Sequence, residues 1–228
     1  MRGYARLCAA LTSAGGNATL WRMADDSRYL KVAAALLGGW LLANLLGAGG
    51  GAGGSGGRLN LAGQRVLLIG SSSAVGVGPR LEAMLQDHGI AGFKNIGISG
   101  SSLYQWSDNV TAPGRLLEST LADYQPGVVF IYVGTNDEAG GGAGTRSPAI
   151  ERLHRKLQGT RSIFLGLPPH SNWTMNRPFR DLLERTWGAD FFNTEVLNPA
   201  KASDGYHLSS AGYRTVLTAL DKWLLAKR

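Results

Sequence analysis

From residue 58 onward, apolar positions fall into two kinds of run, and the two kinds alternate along the chain. Residues 66–69 form a short unbroken apolar run bounded by polar or small residues, the pattern of a buried strand. Beyond Gly78-Pro79 the spacing changes: Leu81, Met84, Leu85 and His88 recur at intervals of three and four and predict a helix over 80–88. Residues 94–98 read as a second short strand leading into Ser99-Gly100-Ser101-Ser102, and 115–124 have helical spacing. Pro126-Gly127 opens 128–133 (VVFIYV), a near-continuous apolar run of the kind buried on both faces of a parallel sheet. This strand ends in Gly134-Thr135-Asn136-Asp137-Glu138, and a loose Gly-rich loop follows at 139–144. A helix at 148–157, a strand at 162–167, a helix at 179–187, a short strand at 191–193 and a closing helix at 212–225 complete the series. The alternation predicts an α/β fold, a three-layer α/β/α sandwich with a parallel sheet of about five strands. In such sheets ligands bind beyond the C-terminal ends of the strands.

The N-terminal quarter has a different pattern. Between 32 and 57 there is no charged side chain. Residues 32–46 (VAAALLGGWLLANLL) are strongly apolar, and 47–57 (GAGGGAGGSGG) are a flexible linker by composition. Three readings compete for 32–46. The run is shorter than the ~20 residues of a membrane-spanning helix unless it borrows some of the glycines. It fits the ~7–15-residue apolar core of a signal peptide if synthesis begins at Met23, although Asp25 and Asp26 offset the basic Arg28 and Lys31. A buried or partner-binding helix is the third reading, against which the glycine tail argues. Membrane anchor or export signal is the favoured expectation. Arg28 and Lys31 would hold the N-terminal side inside and send the following domain outward, to the cell envelope, periplasm or extracellular space. The chain therefore divides into an extension at 1–57 and a domain at 58–228.

Composition narrows the classes. A hydrophobic content of 44% against 17% charged residues implies a packed core rather than global disorder. The net charge of +7 suits an acidic polymer or an anionic surface. The Lys and Arg are scattered, however, with no basic block and no zinc-ligand spacing, which argues against a nucleic-acid partner. A single cysteine, Cys8, excludes an internal disulfide and any cysteine-based metal cluster. No metal or organic cofactor is expected, and oligomeric state is not legible.

Chemistry-bearing residues gather at the predicted strand ends. Ser71, Ser72 and Ser73 follow the first strand, Gly100 the second, and Asn136 and Asp137 the third; Asp204-Gly205-Tyr206-His207 precedes the last helix. A serine hydroxyl needs a base within reach, and neutral histidine is the usual one. The imidazole needs an acidic partner to hold its tautomer, and a developing oxyanion needs aimed N–H donors. Four short segments, in this order, resemble the SGNH hydrolases of the GDSL esterase/lipase superfamily. They are Gly70-Ser71-Ser72-Ser73-Ala74-Val75-Gly76, Ser99-Gly100-Ser101, Gly134-Thr135-Asn136-Asp137, and Asp204-Gly205-Tyr206-His207 continuing to Gly212. The resemblance covers 65 to the C-terminus and implies a flavodoxin-like sandwich. It also implies Ser72 as nucleophile, His207 as general base, Asp204 as its orienting acid, and an oxyanion hole from the N–H groups of Ser72 and Gly100 and the amide of Asn136. Where the family usually has Asp before the nucleophile, this chain has Ser71, which puts efficiency in question.

Blander readings stand beside these. Asp204 is a potential helix cap, but Ser209 and Ser210 already offer capping there. Asn136-Asp137 is also a common turn pair, a reading that stays open for Asp137. His88 and His154 read as surface or packing residues. Trp106 and Trp173, in expected loops at the active face, and His170, after the fourth strand, are candidates to line a substrate cleft. Arg177 and Arg180 read as a solvated helix start. The expected function is a serine esterase releasing a small acyl group; the resemblance does not choose the ester, and the basic charge and outward-facing domain favour acetyl on a glycan or cell-wall polymer. A lysophospholipase or thioesterase acting on a lipid or thioester, and an anchored non-catalytic binding module, are the alternatives.

Overall fold

The computed structural model describes residues 59–139, 143–170 and 174–227, all within the second of the two units into which the chain divides, Gly50–Arg228. The expectations for 1–57, including the apolar run 32–46, lie outside the described residues, as does Trp173. Five strands, β1 (Arg65–Gly70), β2 (Gly92–Asn95), β3 (Val128–Tyr132), β4 (Arg161–Leu165) and β5 (Phe191–Phe192), form one sheet in the order β2-β1-β3-β4-β5. Every pairing is parallel. The helices are α1 (Ser72–Gln86), α2 (Leu103–Ser107), α3 (Ala112–Tyr124), α4 (Thr135–Ala139), α5 (Ala143–Lys156), α6 (Arg177–Trp187) and α7 (Ser210–Ala226).

All five residues of β3 are buried, as a strand covered on both faces must be. Side chains alternate across the sheet. Val66, Leu68, Val128, Phe130 and Tyr132 pack with Val77 and Leu81 of α1 and Val216 and Leu220 of α7. Leu67, Ile69, Val129 and Ile131 pack on the other side with Leu103 and Trp106 of α2, Leu117 of α3, Ile150 and Leu153 of α5, and Phe179 and Leu183 of α6. This is the expected three-layer sandwich. Each fully buried aliphatic or aromatic side chain in these layers contributes about 1.5–3 kcal/mol. Among the described residues no helix is long and apolar enough to cross a membrane.

Helix α1 begins at Ser72 rather than at Arg80. Gly76, Gly78 and Pro79 hide its first turns, because glycine and proline are poor helix formers. Packing requires these glycines: a Cβ on Gly76 would lie 2.2 Å from the Tyr213 hydroxyl, and one on Gly78 would lie 2.1 Å from Asn95 Nδ2. Strand β2 closes at Asn95 instead of running to Ile98. The chain still tracks β1, since the N–H groups of Ile96 and Ile98 donate to Leu68 O and Gly70 O at 3.0 and 2.9 Å. The short helices α2 and α4 were not expected, for they lack the length to show a period. Helix α2 is fixed by a capping box between Ser102 and Gln105.

Candidate active site

The sheet delivers β1 directly into α1, so Ser72 is the first residue of a helix that starts at a strand's C-terminal end. Its N–H is among the first helical N–H groups, which have no acceptor inside their own helix. The N–H groups of Ala74 and Val75 are taken by Ser71 O at 3.0 and 3.2 Å. Ser71 itself is fully buried, and its hydroxyl has no hydrogen-bond partner among the described residues.

The hairpin before α7 brings up the second component. Lys201 and Leu208 form an antiparallel bridge, and Ala202 N donates to His207 O at 2.8 Å. Leu208 anchors this hairpin in the core, and Ser209 caps α7 by accepting from Gly212 N at 3.1 Å. Asp204 is thereby released from capping. Its Oδ1 accepts the N–H groups of Tyr206 and His207 at 3.0 and 2.9 Å, and its Oδ2 accepts from His207 Nδ1 at 2.5 Å. An ionised carboxylate only accepts, so Nδ1 carries the proton and Nε2 is the basic nitrogen. Ser72 Oγ donates to that Nε2 at 2.9 Å. The hydrogen bond from the His207 ring, joined by the two backbone N–H groups, holds the Asp204 carboxyl down at about 2. The Asp204 and His207 side chains are 42% and 39% exposed, so this is an open surface site.

Ser72, Gly100 and Asn136 stand after β1, β2 and β3. Gly100 closes a turn in which Ser101 N donates to Ile98 O at 3.1 Å. Its φ of +79° is a conformation that favours glycine. Asn136 Nδ2 donates to Ser101 O at 2.9 Å. A carbonyl acceptor identifies that end of the amide as the NH2 group and leaves its second N–H. The structure thus brings Ser72, His207 and Asp204 into one hydrogen-bonded line, and ties the Asn136 loop to the residue after Gly100. A hydroxyl bonded to a neutral, oriented imidazole can yield its proton and act as a nucleophile.

Three expectations are corrected. Trp106 does not sit in a loop facing substrate. It is fully buried in α2, and its Nε1 donates to Ser101 Oγ at 2.8 Å. His170 does not line an open cleft: its side chain is 1% exposed and lies 4.0 Å from Glu138. Burial first, then the charge of Lys201, brings the His170 imidazole down to about 4. Arg180 is no solvated helix start. It is buried and donates to both oxygens of Glu138 at 2.7 and 2.8 Å, and to Leu167 O at 2.6 Å. Burial tends to raise the Glu138 pKa, but the hydrogen bonds and charge of Arg180 outweigh it and lower the carboxyl below its usual value. Arg177 is exposed as expected and is ion-paired with Glu195. Asp137 is buried and accepts Leu103 N at 2.8 Å, which makes it a fastener of α2 rather than a solvated turn residue.

Sequence reasoning also missed Lys201. Burial and the charge of Arg180 bring its ammonium down to about 8; only its position three residues before Asp204 hinted at a place near the site. Among the described residues no group of three or more His, Cys, Asp or Glu side chains is placed to hold a metal ion.

No family model and no curated protein matches the sequence. Solved structures do match. A protein from Slackia heliotrinireducens assigned to the SGNH hydrolases is similar at 16% identity and a TM-score of 0.55, with 71% of this chain and 99% of that one covered. The domain has the SGNH hydrolase fold. TesA, at 22% identity and TM-score 0.55, covers 72% of this chain and 100% of its own. A family 3 carbohydrate esterase from Clostridium thermocellum, at 19% identity and TM-score 0.53, covers 72% of this chain and 96% of its own. At these identities the likeness establishes the SGNH fold alone. The chemistry has to be argued from the side chains.

Proposed function

We propose that this protein is a serine esterase that releases a small acyl group, acetyl in the first instance, through a covalent acyl-enzyme. The observation that carries the reading is the unbroken line from Ser72 Oγ to His207 Nε2, at 2.9 Å, and from His207 Nδ1 to Asp204, at 2.5 Å. His207 accepts the Ser72 proton as Oγ bonds to the ester carbonyl carbon. Asp204, ionised at any pH well above 2, stabilises the imidazolium that forms. The carbonyl oxygen becomes an oxyanion. Ser72 N–H, Gly100 N–H and the second N–H of Asn136 are the donors that would receive it. The C–O bond to the alcohol breaks as His207 returns the proton to the leaving oxygen. Water then repeats the sequence on the acyl-enzyme, giving the carboxylic acid and free Ser72.

The open site, with His207 and Asp204 both well exposed, suits a bulky alcohol such as a polymer-borne sugar. The net charge of +7 suits an acidic glycan, and the likeness to a carbohydrate esterase points the same way. The apolar run 32–46, flanked by Arg28 and Lys31, supports placing the domain outside the cytoplasm on an anchor or after an export signal. A non-catalytic module has less support, because the Ser72–His207 and His207–Asp204 hydrogen bonds that activate a serine are already made. The deciding experiment is labelling by a fluorophosphonate probe, with an acyl-chain series of p-nitrophenyl esters alongside. Wild type should label and Ser72→Ala should not, and acetyl should be turned over faster than long chains. An unlabelled wild type would refute the esterase reading, and a preference for long chains would refute the acetyl assignment.

A further inference from the structure

The loops after β1, β2 and β3 are joined by a hydrogen-bond chain that the steps above leave unused. Trp106 Nε1 donates to Ser101 Oγ at 2.8 Å. Ser101 Oγ donates to Gly70 O at 3.0 Å, the carbonyl that closes β1 just ahead of Ser71-Ser72. Ser101 O accepts Asn136 Nδ2 at 2.9 Å. The polarity is forced, since an indole N–H can only donate and the Ser101 proton is left for the Gly70 carbonyl. Ser101 is 3% exposed and Trp106 fully buried, so neither meets solvent or substrate.

Two of the three donors stand at exposed positions. Gly100 is exposed, and among the described residues no atom beyond its chain neighbours lies within 4 Å of the position its Cβ would take. Asn136 is exposed as well. An oxyanion hole works only if its donors are aimed in advance, to within a few tenths of an ångström. Here three donors come from three separate strand ends, and Ser101, the neighbour of Gly100, is bonded to both other loops.

We infer that Ser101, locked by Trp106, is a positioning residue that sets the mutual placement of the Ser72, Gly100 and Asn136 donors; the inference rests on the esterase reading above. It reassigns Trp106 from substrate contact to the support of transition-state contacts.

The test is a double-variant cycle on p-nitrophenyl acetate hydrolysis, with folded fraction followed by circular dichroism. Ser101→Ala and Trp106→Phe are each expected to lower kcat about ten-fold, below the loss for deleting a donor outright, with KM changed less than about two-fold. The double variant should be no worse than Ser101→Ala alone, because both substitutions break one chain. Ser101→Thr, which keeps the hydroxyl, should recover most of the loss. If Trp106→Phe fails to fold, Ser101→Ala and its threonine counterpart carry the test. Fluorophosphonate labelling of wild type and Ser72→Ala is run in parallel. An unlabelled wild type removes the esterase reading, and this inference with it. A labelled wild type whose variants keep full kcat, lose it additively, or lose it only in step with folded fraction overturns the positioning role alone.

Discussion

Arg180→Leu tests how the segment after Asn136 is held against the loop beyond β4. In the native protein Arg180 is 7% exposed and Glu138 not at all. Glu138, two residues after Asn136, also accepts Asn176 N at 2.8 Å. Arg180 joins it to the carbonyls of Leu167 and Pro168, at 2.6 and 3.1 Å, beyond β4. Leucine fills much of the space and removes the charge, which strands a buried carboxylate. Breaking one half of a buried pair costs about 3–5 kcal/mol. An independent bound agrees. Glu138 can escape by taking up a proton, and for a carboxyl with an ordinary pKa of 4.5 that costs about 3 kcal/mol at pH 7. At roughly 2–4 °C per kcal/mol for a domain of this size, Tm should fall by about 6–20 °C.

The same argument fixes the pH dependence. In the wild type Arg180 lowers the Glu138 pKa, so the pair stabilises the fold above 4.5, and that contribution is lost as pH falls below it. In Arg180→Leu the largest opposition to burial is gone and only the Asn176 N–H and the His170 charge still lower the carboxyl, so its pKa rises and the penalty grows with pH above 4.5. Both effects shrink the difference on acidification, and at pH 5 the cost of protonating Glu138 is under about 1 kcal/mol. The assay is Tm of both proteins between pH 5 and 7.5. A gap of equal size at both ends, or no gap at pH 7, would refute the reasoning. Glu195, 3.4 Å from Arg180, keeps its pairing with Arg177 and should not confound the result. The double variant Arg180→Leu with Glu138→Leu should regain much of the loss.

Burial first, then the charge of Lys201, holds the His170 imidazole down at about 4 against the raising charge of Glu138, so protonating it costs stability as pH falls from its usual 6.5 toward 4. His170→Gln should therefore flatten the Tm profile between pH 6.5 and 4, and an unchanged slope would contradict this. Asn136→Ala should lower kcat on p-nitrophenyl acetate by about a hundred- to a thousand-fold with little change in KM. A loss confined to KM would place Asn136 in substrate binding instead. Asp137→Asn keeps an oxygen to accept from Leu103 N and should retain α2 and most activity, whereas Asp137→Ala should lose several degrees of Tm.

Local pattern was enough to determine the alternating elements, the parallel sheet and the residue types at the strand ends. A strand buried on both faces has to be apolar throughout, as 128–132 are. Ser72, Asp204 and His207 were singled out by the resemblance of short, ordered segments to the SGNH hydrolases, and the structure joins them in one hydrogen-bonded line. Three features were decided only in three dimensions. The first turns of α1 were concealed by Gly76 and Gly78, whose missing side chains make room for Tyr213 and Asn95 from elsewhere in the chain. Trp106 and Arg180 look from sequence like surface groups near a cleft, but both are buried because partners outside their own helices satisfy their N–H groups: Ser101 for the indole, Glu138 and two carbonyls for the guanidinium. Periodicity reports which face of an element is apolar. It carries no information on whether a polar atom will find its partner across the fold, and that pairing separates a substrate contact from a buried support.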